Sequence, residues 1–260
     1  MTLDKIAVAG NYHATEHVTR PIVSYNSHFP MVLTIKGCMV DTISKLSSER
    51  LPLRRDGRLR YVQDTAAWME EVLRMTELEE ISNASQSKDI TRRGQAQRTS
   101  LWKTLTACGP TTPPANSQSR GQQQQQQQQQ RGRGSPTERG FDNWLAERRQ
   151  CAAKGSLEGL RLDRAAREEV SRFAYHCDRA TRGRRVFVSA AGHLGLAAAG
   201  AEVGDAVCVF PGIRTPFAVR RAEMGDSAEG HYVLVGEMYH YGIVSGALGP
   251  YLPSAPIRLV

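Results

Sequence analysis

The chain has 260 residues, 40% of them hydrophobic, with a mean hydropathy of −0.44, a formal net charge of +8 and a sequence pI of about 9.5. That is enough for one large domain or two small ones, while the lack of any run near 18–20 apolar residues excludes a helical membrane span. The short apolar stretch from Ile6 to Ala9 is too brief for a signal-peptide core, and the five widely spaced cysteines form no CxxC pair, which argues against a disulfide framework or a zinc site. A reducing, cytoplasmic setting is expected. The basic charge is spread among acids, as in Arg164–Ala165–Ala166–Arg167–Glu168–Glu169, so nucleic-acid binding is a secondary reading.

Residues 1–29 read as an irregular lead-in. In the run from Phe29 to Ile43, Leu33 and Ile35 alternate with Thr34 and Lys36, which is strand periodicity. Gly37 interrupts it, and a glycine inside a strand pattern marks a bulge or a close backbone approach. Asp64 is positioned to cap a helix over 65–81 with a stripe of Trp68, Val72, Met75 and Leu78 and a Glu70–Arg74 pair. After a polar stretch, Leu101 and Leu105 lie one turn apart, predicting a short helix over 99–105 that docks by Trp102.

Residues 109–140 read as a disordered Pro/Gln/Arg-Gly linker with nine consecutive glutamines, Gln122 to Gln130; such a stretch buries too little apolar area to offset its ordering entropy. Helical segments follow over 141–182. Phe141, Trp144 and Leu145 open the first, Gly155 breaks it, and Leu162, Ala166, Val170, Phe173 and Cys177 form the stripe of the second, with Gly183 just past its end.

From 183 to 245 short strands alternate with turn signals, predicting a small antiparallel barrel-like module. The turns are expected at Gly192, Gly204–Asp205 and Gly212, where glycine makes positive φ cheap and Asp205 binds its own turn backbone. Phe187, Val207, Val209, Phe217, Val233 and Val235 are the expected inner face. Residues 246–260 read as a tail. The fold class is therefore α+β: a helical region, including the 30–108 strand and helices, packed on a β-barrel-like C-terminal module, with a disordered Gln-rich insertion.

Few chemical motifs are present. Cys177 continues the Val170–Phe173 stripe, so His176–Cys177 reads as core rather than as a thiol nucleophile. His193, His231 and His240 with Glu237 lack metal-binding spacing, so no metal and no cofactor are expected. Phosphate-loop and hydrolase-elbow motifs are absent. Glu237, Tyr239 and His240 remain as a candidate surface site.

The ordered segments Gly183–Ser189, Gly192–Leu196, Gly204–Gly212, Thr215–Arg220 and Tyr232–Tyr239, followed by His240 and Gly242, resemble the region C-terminal to the HET domain in fungal heterokaryon-incompatibility proteins. Leu33–Ile43 and Leu101–Leu105 extend the likeness upstream. The HET domain, which normally precedes the first matched strand, is expected to be lacking, because Met1 lies only about thirty residues before it. Family tails carry an acidic Gly-Glu element after Gly242, where this chain has Ser245–Gly246–Ala247–Leu248. The resemblance implies a non-catalytic recognition or accessory region of an allorecognition or immunity-type protein that acts on protein partners. The alternatives are a nucleic-acid-associated basic protein and a cryptic hydrolase using His231, His240 and Glu237. No membrane association is expected, and oligomeric state is not specified.

Overall fold

The computed structural model describes residues 23–26, 32–50, 58–77, 88–107, 135–156, 161–213, 215–222, 230–243 and 254–260. Among them nine strands form one hydrogen-bonded sheet, and four helices cover part of it. The glutamine run, Leu78 and the Ser245–Leu248 segment lie outside the described residues.

The strand read from Leu33 and Ile35 is the organising element. β2 (Val32–Leu46) pairs with four other strands: β1 (Val23–Asn26) and β9 (Ala255–Leu259) flank its first half, and β5 (Ala206–Val209) and β3 (Arg184–Ser189) its second. A strand this long can turn from one neighbour to the next because its register slips twice, between Met39 and Asp41 and between Ile43 and Lys45. Gly37 marks a close approach. A Cβ there would stand 2.8 Å from both Ile257 and Phe210.

The sheet closes in two ways. β5 pairs with β6 (Phe217–Arg221), and β6 with β7 (His231–Glu237). β7 then returns to β2 at one end through β9, parallel to β7 and antiparallel to β2. At the other end the strand line continues past Met238 into β8 (Tyr239–His240), which pairs with β4 (Leu194–Ala198), β4 with β3, and β3 with β2. β5 and β6 are shared by both closures and are packed on both faces. Val207, Val209 and Ala218 point into a cluster with Ile43, Phe187 and Met238. Cys208, Phe217 and Val219 point the other way, onto Ile35, Ile257 and Leu259. This explains why Ala206–Val209 reads as an unbroken apolar run rather than as an alternation.

The barrel is thus not confined to 183–245. β2 from the expected helical region and β9 from the expected tail are both staves, and β1 gives the lead-in an ordered strand. Neither short terminal strand carries a periodicity strong enough to stand out alone. Val233 is a second departure: it is 43% exposed instead of lining the interior. The β6–β7 register slips between Ala218 and Val219, and no strand pairs with the other edge of Val233–Gly236 among the described residues.

The helices are α1 (Arg58–Met75), α2 (Lys88–Leu105), α3 (Glu138–Lys154) and α4 (Arg164–Thr181). α1 begins six residues before Asp64 and stops at Met75 instead of 81. Thr76 bonds back to the Val72 and Leu73 carbonyls, and Glu77 takes a left-handed φ of 58°, which ends the helix. The expected Glu70–Arg74 pair does not form. Glu70 holds Arg149 of α3 through two bonds of 2.6 and 3.0 Å, while Arg74 donates to the Glu70 carbonyl. α2 is 18 residues long, much longer than the 99–105 expected; its first turns are polar and carry no apolar stripe. It docks by Leu101 and Leu105, both fully buried, with Trp102 only half-buried.

α3 starts inside the expected linker. Thr137 caps it by accepting from the Gly140 N–H, and Gly155 closes it at φ 61°. Asp163 caps α4 through the Ala166 N–H, and the stripe of Ala166, Val170, Phe173 and Cys177 is buried as expected; Leu162 precedes the helix. Phe141, Trp144 and Phe173 pack with ring centroids 5.2–6.5 Å apart, Phe141 stacked on Trp144 and Phe173 tilted against both. They join Val186, Leu194, Leu196 and Tyr239 on the outer face of β3, β4 and β8, so the helices and barrel share one core. Each large side chain buried there contributes about 1.5–3 kcal/mol.

Arg50 ties the exit of β2 to this layer. Its guanidinium is buried and donates to Asp178 (2.5 Å), Tyr61 (2.7 Å), the Cys177 sulfur (3.3 Å) and Thr181. It also lies over the Trp68 ring, 5.3 Å from its centroid.

Candidate functional site

The first register slip of β2 leaves Val40 without a partner on β5 and turns Asp41 toward the end of the barrel. There it meets the β3–β4 hairpin and β8. The hairpin is tight: the Gly192 N–H donates to the Ser189 carbonyl, the Ser189 N–H to the His193 carbonyl, and the His193 N–H to Ser189 Oγ. Gly192 supplies the φ of 83° that the turn needs. The result places His193 beside His240 of β8, with ring centroids 5.1 Å apart.

Asp41 lies between them. Its Oδ1 accepts from the Thr42 N–H (2.8 Å) and the Ala191 N–H (3.3 Å). Its Oδ2 faces His193 Nδ1 and His240 Nε2, each at 3.6 Å. Burial alone would push the Asp41 carboxyl up, but hydrogen bonds from Ser189, Thr42 and Ala191, with the His193 imidazole facing it, outweigh that and lower its pKa. His240 is pushed down to about 4, first by burial and then by His193, against the opposing pull of Asp41 and of its own backbone. At neutral pH the site therefore holds a carboxylate and an uncharged His240. The His240 side chain is 2% exposed and His193 is 50% exposed, so the cluster is closed on the barrel side and open on the hairpin side. Phe187 packs on His240 at 5.9 Å, and the absence of a side chain at Gly242 leaves room for the His193 ring, which a Cβ would approach to 2.8 Å.

The other expected site residues are placed differently. Tyr239 and His240 are buried rather than on the surface, because β8 is covered by β4 and the helices. Glu237 is bound to Arg184 in a largely buried ion pair. His231 lies nine residues from His240 along the same strand line, which at about 3.3 Å per residue puts it roughly 25–30 Å away. The proposed His231–His240–Glu237 constellation thus does not assemble. Cys177 is buried against Arg50, with burial raising its pKa, and Cys38, Cys151 and Cys208 are likewise free thiols.

Gly204 and Gly212 have φ of 97° and 82°, as their turns require. Asp205 accepts the Glu202 N–H at 2.8 Å, closing its turn, and its buried carboxylate also receives Arg220 through bonds of 2.8 and 3.0 Å. Asp41 is the residue that the sequence reading missed. Its signal was there: an acidic side chain inside an apolar strand, where aspartate is disfavoured.

On the helical side, the outward face of α4 forms a shallow basic groove lined by Arg164, Arg167, Arg172, Tyr175 and His176, with Glu168 bonded to Arg164. No helix among the described residues is long and apolar enough to cross a membrane.

The family model for the Het-6 beta-barrel domain matches residues 30–251. No curated protein and no solved structure matches the chain significantly.

Proposed function

Since the chain belongs to the Het-6 beta-barrel domain family and is a heterokaryon-incompatibility-type protein, we propose that it acts as a non-catalytic recognition or accessory region that engages protein partners in self/non-self discrimination. The family match is the observation that carries the reading. The shared core of barrel and helices supports it, because a recognition surface needs a rigid mount. The surface we assign to the partner is the outward face of α4, where Arg164, Arg167 and Arg172 flank Tyr175. Such a face suits an acidic partner segment, with arginine and tyrosine the residue types that dominate protein interfaces.

The test is capture from lysates of compatible and incompatible fungal strains, comparing the wild-type chain with an Arg167→Glu/Arg172→Glu variant. The reading expects a protein retained by the wild type, strain-dependent in identity or amount, and lost by the variant. Retention of the same proteins by both chains, or of nucleic acid alone with a steep loss on raising salt, overturns it.

A further inference from the structure

We propose that Asp41, His193 and His240 form a binding site for a divalent transition-metal ion. This goes beyond partner recognition and departs from the absence of metal expected from sequence spacing. The three ligands come from three separate elements, β2, the β3–β4 hairpin and β8, and no linear motif could reveal them.

Four observations carry the proposal. The first is distance. At metal–nitrogen bonds of about 2.0–2.1 Å, a tetrahedral ion holds its donors roughly 3.3–3.4 Å apart. Asp41 Oδ2 stands 3.6 Å from a nitrogen of each histidine, and all three donors lie within 4.8 Å of one another. These gaps are too wide for good hydrogen bonds and close to the spacing of ligands on one ion.

The second is an unexplained buried group. His240 is almost fully enclosed, yet both ring nitrogens lack a hydrogen-bond partner. A buried polar atom left in that state calls for a water or an ion, and its Nε2 points at the carboxylate. The third is chemical type. Two imidazoles and one carboxylate make a donor set used by zinc and by non-haem iron, and imidazole suits the borderline divalent ions. The fourth is support around the ligands. Asp41 Oδ1 is held by two backbone N–H groups, which fixes the direction of the carboxylate while its Oδ2 faces both imidazoles. The half-exposed side of His193 leaves room for one or two further ligands from solvent, the arrangement of an open rather than a sealed metal site.

The test uses the full chain, stripped with EDTA and dialysed, then titrated with Co²⁺ while visible absorption is followed, with Zn²⁺ as competitor. The proposal expects one equivalent of Co²⁺ bound, with band intensities of a four- or five-coordinate ion, and displacement by Zn²⁺. Loss of a group that merely hydrogen-bonds to a ligand weakens metal sites roughly 10–100-fold. His193→Ala and Asp41→Asn should therefore weaken binding at least about tenfold, while His231→Ala leaves it unchanged. His193 is half exposed, so its alanine variant tests the site even where Asp41→Asn perturbs folding. A rise in thermal midpoint on adding Zn²⁺ should appear in the wild type and vanish in His193→Ala. Lack of uptake by the wild type, or uptake and thermal shift that survive His193→Ala, overturns the proposal.

Discussion

The Arg50–Asp178 pair makes a sharp prediction because its two ends are buried unequally. The Arg50 side chain is 4% exposed and that of Asp178 is 32%. Removing Asp178 strands a cation in the core; removing Arg50 leaves an anion that water reaches. Asp178→Leu, which fills the space and excludes water, should cost about 3–5 kcal/mol, the range for an uncompensated buried charge. Arg50→Met should cost only about 2 kcal/mol. Tyr61 still donates to Asp178, and Thr181 still donates to the Cys177 carbonyl at 2.7 Å, so most of the loss is the cation–π contact with Trp68 and one charged bond. The double variant Arg50→Met/Asp178→Leu carries no charge at all and should be more stable than Asp178→Leu alone. Urea unfolding followed by circular dichroism reads all four proteins. At an m-value of about 2 kcal/mol/M, Asp178→Leu lowers the midpoint by roughly 1.5–2.5 M, and the second substitution restores part of it. If the double variant is less stable than Asp178→Leu, or the two losses simply add, the buried-cation argument is wrong.

Other outcomes follow from the barrel and its end. Gly195→Ala puts a Cβ 2.3 Å from the Phe187 ring and the Tyr239 carbonyl, so it should destabilise by about 3 kcal/mol or prevent folding. Gly192→Ala, in open space at φ 83°, should cost only about 1 kcal/mol; equal losses in a denaturant titration would contradict this contrast. Ile257→Ala should cost about 2–5 kcal/mol as a core truncation; a midpoint within error of the wild type would mean that β9 is no stave. In metal-free protein His240 titrates near 4 when folded and near 6.5 when unfolded. The unfolded chain binds more protons between those values, so stability is full above pH 6.5 and falls as pH drops toward 4, by up to about 3 kcal/mol. His240→Phe should flatten that slope, and an unchanged slope in midpoint-versus-pH measurements would refute the assignment.

What could be read in advance follows a physical pattern. The turn glycines and the α4 stripe were legible because each depends on neighbours within a few residues: Gly192, Gly204 and Gly212 all take positive φ, and Val170, Phe173 and Cys177 are all buried. The first half of α2 was not, because its sequence is polar and the apolar residues by which the helix docks, Leu101, Trp102 and Leu105, lie near its C-terminal end. Val233 misled because the strand beside its outer edge is missing among the described residues, and a period-two pattern does not show which edges are covered. The Asp41–His193–His240 cluster was half visible. The two histidines stood out, but the carboxylate is 152 residues from the nearer of them in sequence, and only the closure of the sheet brings it there.

β2 finds its partners β3, β5 and β9 only among residues 184–259. A nascent or refolding chain must therefore keep most of this fifteen-residue ribbon, beyond its short pairing with β1, unmatched while well over a hundred residues are made or rearranged. Pairings so distant along the chain slow the search for the native state and leave a sticky edge open to other molecules meanwhile. Refolding should be slow and prone to aggregation as protein concentration rises, a kinetic hazard set by connectivity rather than by weakness of the finished barrel.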